Sequence, residues 1–199
     1  MKYLISAVLA VFFSVNMITI SHAAILTVAG GILTGAKDVD VGGTLYNVEF
    51  IDDTCSNIYS GCDEISDLDF ADEASATLAA QALLSQVFID SLFGNFDSQP
   101  ELINGCDDAT GCNFNVTYGF NLFNDVRSIS AFNNDGSNTD STGFGETGIN
   151  YDVGQVEWLA YARFTPAISA IPLPAALPLY GAGILILGIW SRRKKIRQA

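Results

Sequence analysis

The stretch NFNVTYGFNL, residues 113–122, decides the fold class. Phe114, Val116, Tyr118, Phe120 and Leu122 alternate with Asn113, Asn115, Thr117 and Asn121. Successive side chains of a strand point to opposite faces, so this period of two predicts one apolar and one amide-rich face. Residues 156–164 repeat the pattern, with Val156, Trp158, Ala160, Ala162 and Phe164 alternating with Glu157, Leu159, Tyr161 and Arg163. Between them, residues 128–132 read as another strand, and residues 133–148, rich in Gly, Ser, Thr and Asn, read as a connecting loop.

Upstream, residues 25–33 are apolar, with a turn or bulge at Gly30-Gly31. Val39 and Val41 lead into Gly42-Gly43, a two-residue hairpin signal, and residues 44–51 continue with Tyr46, Val48 and Phe50 on one face. Residues 68–93 read as the one substantial helix. Asp69 is placed to cap it, Asp72 and Glu73 suit its positive end, and Gly94-Asn95 closes it. Its stripe is Ala76, Ala80, Leu83, Leu84, Val87 and Phe88. The expectation is an α+β domain, a mainly antiparallel β-sheet with one packed helix.

All 22 acidic residues lie between Asp38 and Glu157, and within residues 24–166 only Lys37, Arg127 and Arg163 oppose them. The formal charge of residues 24–166 is therefore −19, against −13 for the whole chain. A surface that acidic repels phosphate backbones, which argues against a nucleic-acid partner.

The ends differ in kind from the middle. Lys2 is followed by an almost unbroken apolar run to Ile20, then Ser21-His22-Ala23. This order predicts a secretory signal peptide over residues 1–23, cleaved between Ala23 and Ala24 after engaging the secretion translocon and signal peptidase. His22 is the sole histidine. Its loss with the leader would leave no imidazole, which removes Ser-His-Asp and Cys-His catalysis and His-ligated zinc from the mature chain.

Residues 167–190 carry no charge, and Arg192, Arg193, Lys194, Lys195 and Arg197 follow. Twenty-four helical residues would span about 36 Å, but Pro172, Pro174 and Pro178 confine a regular helix to the second half. Basic residues stay cytoplasmic, so the acidic domain would face outward across one C-terminal transmembrane segment. A permanent stop-transfer anchor is the plain alternative.

Ile171, Pro172, Leu173, Pro174 and Ala175, then an apolar run and the basic cluster, together resemble the VPLPA-type PEP-CTERM sorting signal, with Ile171 standing where the family has Val. The resemblance covers roughly the last thirty residues. It implies processing by an exosortase, a membrane protease-transpeptidase of Gram-negative bacteria, and an exopolysaccharide setting. The chain would then sit in the inner membrane with its domain in the periplasm before processing, and afterwards at the cell surface or outside.

Within the domain, Cys55, Cys62, Cys106 and Cys112 are an even set, which reads as two disulfides in an exported chain. Three connectivities exist. Local pairing is simplest, whereas cross-pairing would clip the helix between its ends. Cys₄ metal spacing is absent. Calcium is the cation alternative, with oxygens from Asp63-Glu64, Asp67, Asp69, Asp72-Glu73, Asp107-Asp108 or residues 133–136, but no EF-hand spacing is present. Neither a catalytic residue, a metal ligand nor a cofactor is assigned. The expectation is a non-enzymatic envelope or matrix protein. A carbohydrate- or calcium-binding module and a carboxylate-dependent hydrolase are the alternatives.

Overall fold

The computed structural model describes residues 23–168, which hold the acidic domain. The opening glycine pairs make two tight turns. β1 (Ile25–Ala29) turns through Gly30-Gly31 into β2 (Ile32–Val41), which turns through Gly42-Gly43 into β3 (Thr44–Ile51). Gly42 and Gly43 have φ of 60° and 92°, the left-handed pair that a two-residue turn matching strand twist requires.

The chain then leaves the sheet. A short helix α1 (Cys55–Ile58) and helix α2 (Glu73–Ala82) precede a small hairpin of β4 (Asp90–Ser91) and β5 (Gly94–Asn95). It returns as β6 (Gly111–Phe120), β7 (Asp125–Asn134), β8 (Ser141–Gly148) and β9 (Leu159–Pro166). The seven-stranded sheet runs β1-β2-β3-β9-β6-β7-β8. Every pairing is antiparallel except β6 with β9, which is parallel. The fold is thus α+β, a mainly antiparallel mixed sheet with one packed helix.

Helix α2 lies across β6, β7 and β2. Its expected stripe is buried at Ala76, Ala80, Leu83, Val87 and Phe88, and Leu84 packs partly against it. Facing it are Phe114, Val116, Tyr118, Ala160, Ala162 and Phe164, as the period of two in β6 and β9 requires. Phe50, Phe88 and Phe114 meet with ring centroids 4.8–5.5 Å apart at the centre. The other sheet face is covered as well. Cys55, Ile58, Tyr59, Cys62 and Leu68 close over Val126, Leu159 and Tyr161 to make a second core. The central strand β9 therefore buries both faces.

Three expectations need correction. The helix does not run over 68–93. It begins at Glu73, capped by Asp72 rather than Asp69, with Asp72 Oδ1 accepting from the Ser75 N–H at 2.9 Å. It ends in a π turn over Leu83–Val87, where the Phe88 N–H donates to the Leu83 carbonyl at 2.9 Å. The wider turn delivers Phe88 to the aromatic cluster. Asp90 then accepts from the Asp97 and Ser98 N–H groups, and Gly94 belongs to a hairpin, not a helix cap.

The second correction concerns residues 141–148, expected as loop and found as strand β8. A Cβ on Gly143 would sit 2.5 Å from the Phe132 ring, and one on Gly145 would sit 2.8 Å from Ser128 Oγ. Close packing selects glycine here against its low strand propensity. Third, β9 starts at Leu159, because Val153–Gln155 forms a 3₁₀ turn and leaves Trp158 half exposed.

Candidate functional site

The most polar place in the interior is where the parallel pair parts. β6 and β9 pair over Asn113↔Leu159, Phe114↔Ala160 and Asn115↔Tyr161 and then diverge. Asp69 enters the gap. Its Oδ1 accepts from the Phe164 N–H at 2.8 Å, and its Oδ2 accepts from Tyr59 Oη at 2.5 Å and Thr117 Oγ1 at 3.1 Å. The Phe70 N–H donates to the Thr117 carbonyl at 3.2 Å, so the loop is tied to β6 by backbone too.

Burial raises the Asp69 carboxyl to about 6, against the lowering effect of its donors. Burial beside that carboxylate pushes the Tyr59 phenol well above its ordinary value. Next to it, Ser130 Oγ donates to Asn115 Oδ1 at 2.6 Å, and Asn115 Nδ2 donates to Thr147 Oγ1 at 3.3 Å. This seam is neutral apart from Asp69, with Asn115, Thr117 and Ser130 buried and Asp69 itself partly exposed. It holds the covering loop on the sheet.

Both disulfides are local. Cys55–Cys62 spans Cα atoms 5.8 Å apart and Cys106–Cys112 spans 6.0 Å, so cross-pairing is excluded. Gly61, at φ 97°, relieves the first loop. Thr54 caps α1 inside it, its Oγ1 accepting from the Asn57 N–H at 3.3 Å.

The acidic groups considered for calcium are dispersed into local roles. Asp67 Oδ2 accepts from the Asp63 and Glu64 N–H groups, Asp72 caps α2, and Asp108 Oδ1 accepts from Thr110 at 2.7 and 2.8 Å. Tyr118 Oη donates to Glu73, Asn133 Nδ2 donates to the Phe96 carbonyl, and Asp135 holds Ser137. These hydrogen bonds hold the Asp72, Asp108 and Asp135 carboxyls below their ordinary value. Among the described residues, no three His, Cys, Asp or Glu side chains gather as a metal site.

One open depression of about 450 Å³ lies at the β6–β7 turn, lined by Phe120, Asn121, Leu122, Phe123, Arg127 and Glu146. The turn is rigid. Asn121 Oδ1 accepts from the Phe123 and Asp125 N–H groups at 2.8 and 2.9 Å, and Asn124 has φ of 63°. It displays Leu122 at 100% and Phe123 at 87% exposure. Arg127 Nε donates to Glu146 Oε1 at 3.3 Å while its guanidinium lies 5.2 Å from the Phe144 ring centroid. Asn121 Nδ2 donates to Glu146 Oε2 at 3.2 Å. Asn121 Nδ2 also donates to Asp125 Oδ2 at 3.0 Å, so the Arg127–Glu146 pair and a second carboxylate lie beside the exposed Leu122 and Phe123.

No local pattern of residues points to this cluster, because it depends on the register Arg127↔Glu146 and Ile129↔Phe144. Ala23 and Ala24 lie just ahead of β1, with Ala24 packed partly on the core. Residues 171–175 and the basic cluster Arg192, Arg193, Lys194, Lys195 and Arg197 lie outside the described residues. Among the described residues no helix is long and apolar enough to cross a membrane. Compared with protein-family models, with curated proteins and with solved structures, the chain matches none.

Proposed function

We propose that the chain is an exported, non-enzymatic envelope or extracellular-matrix protein whose C-terminal sorting signal is cut by an exosortase. The observation that carries this reading is the order of the tail: the proline motif at 171–175, an uncharged stretch to 190, then five basic residues within 192–197. The leader ending at Ala23 agrees with it, because both ends put residues 24–166 outside the cytoplasm. Two disulfides and no free cysteine support an oxidising destination. The many carboxylates engaged in capping and loop hydrogen bonds support a structural part over a catalytic one. On this reading the working partners are the translocon, signal peptidase and the exosortase, with an exopolysaccharide as the surrounding matrix.

Intact-mass analysis of the protein released by an exosortase-bearing Gram-negative host tests the proposal. The expected species begins at Ala24, lacks Arg192 to Ala199, and is four hydrogens lighter than its reduced form. A released species that keeps the basic cluster would overturn it.

A further inference from the structure

The two edges of the sheet are not alike. β1 has five residues and an irregularity between Thr27 and Val28, both of which discourage pairing with another chain. β8 has eight residues, an uninterrupted register against β7, no proline and no lysine. Among the described residues, the only hydrogen bonds to the backbone of residues 141–147 come from the β7 ladder. Among the described residues its outer row of N–H and C=O groups has no partner, and such a row is satisfied by another extended strand.

The side chains around this edge favour a second copy of the chain. Elsewhere the domain is strongly acidic, which opposes self-association. At β8 the one charge, Glu146, is already matched by Arg127 and Asn121. Phe144 is 53% exposed on the edge, and the depression bearing Leu122 and Phe123 adjoins Glu146 on the same face. A foreign strand would need side chains unknown to this surface. An identical β8, laid antiparallel about a two-fold axis, brings its own complement.

Centred on Phe144, that axis sets Phe144 opposite Phe144 of the second copy, Glu146 opposite Thr142, and Gly143 opposite Gly145. No like charges face each other. A register centred on Glu146 would oppose two carboxylates and is disfavoured.

We propose that two copies of this chain associate through antiparallel pairing of their β8 strands, centred on Phe144, to form one continuous sheet. The proposal rests on the folded domain and not on the fate of the tail, so it stands or falls separately from the sorting reading.

Single cysteine substitutions in the full chain, purified in mild detergent and oxidised, give the test. Directly opposed residues lie about 4.5–5.5 Å apart between Cα atoms, within disulfide reach, whereas Thr142 and its copy would be about 14 Å apart. Phe144→Cys is expected to yield a covalent dimer on non-reducing gels and Thr142→Cys to remain monomeric. Phe144→Lys is expected to weaken the dimer about tenfold, measured by sedimentation, with the melting temperature of the fold unchanged. Absence of a dimer at the highest soluble concentration, or equal cross-linking of the two cysteine variants, would overturn the proposal.

Discussion

Replacing Asp69 by asparagine separates the cost of burying a charge from the value of the hydrogen bonds around it. In the wild type, Oδ1 meets the Phe164 N–H and Oδ2 meets the Tyr59 and Thr117 hydroxyls. An asparagine amide can keep all three contacts, because its oxygen accepts from Phe164 and its NH₂ group donates to the two hydroxyl oxygens. It thereby imitates the protonated acid. The carboxyl is raised from 3.8 to about 6, with burial the largest cause. A group whose folded value is raised binds its proton more tightly in the folded state. Folding is therefore most favourable while Asp69 is protonated, and stability falls as pH rises between those two values. At 1.36 kcal/mol per pH decade, the loss reaches roughly 3 kcal/mol above about pH 6.

For a domain of this size that is about 6–12 °C in melting temperature. Carboxyls with lowered values, such as Asp72, act below their ordinary range, and Asp52 and Asp97 are raised like Asp69. The difference between wild type and variant isolates Asp69 from all of them. Urea titrations followed by far-ultraviolet circular dichroism should give equal stabilities near about pH 3.5. The variant should lead by up to roughly 3 kcal/mol near about pH 7.5. Parallel curves across that range, or a variant less stable at the higher pH, would mean that burying the Asp69 charge carries no net cost.

Two further outcomes follow from the packing. Gly35→Ala would place Cβ 2.1 Å from the Val48 carbonyl oxygen and should cost about 2–4 kcal/mol in urea unfolding, whereas Gly119→Ala, with nothing within 4 Å, should be near neutral. Removing the Cys55–Cys62 bridge by a double alanine substitution opens a loop of sequence separation 7 and should cost roughly 2.5 kcal/mol, read as a lower urea midpoint with helix α2 retained.

What was legible in the sequence was what local chemistry dictates. Gly42-Gly43 forces a hairpin whatever surrounds it, and the alternation in 113–118 and 160–164 holds because each strand really has a helix-facing side. The α2 stripe was readable for the same reason. The misses lie where a distant residue overrules local preference. Gly143 and Gly145 look like loop until the Phe132 ring and Ser128 are seen against them. Asp69 looks like a helix cap until the parting of β6 and β9 gives it the Phe164 N–H. The helix stops early because a π turn and the Phe50 and Phe114 rings claim Phe88. The local disulfides were the simplest of three connectivities and are the ones formed. The Arg127, Glu146 and Phe144 cluster needed a strand register that periodicity alone does not provide.

On the proposed topology, residues 24–166 cross a bilayer while Arg192 to Arg197 stay behind. Protease added to spheroplasts of a host lacking the exosortase addresses it directly, with epitopes in the β6–β7 turn and after Ala199. The expected result is digestion of the turn epitope and protection of the terminal one until the membrane is lysed. Protection of both epitopes in sealed spheroplasts would contradict it.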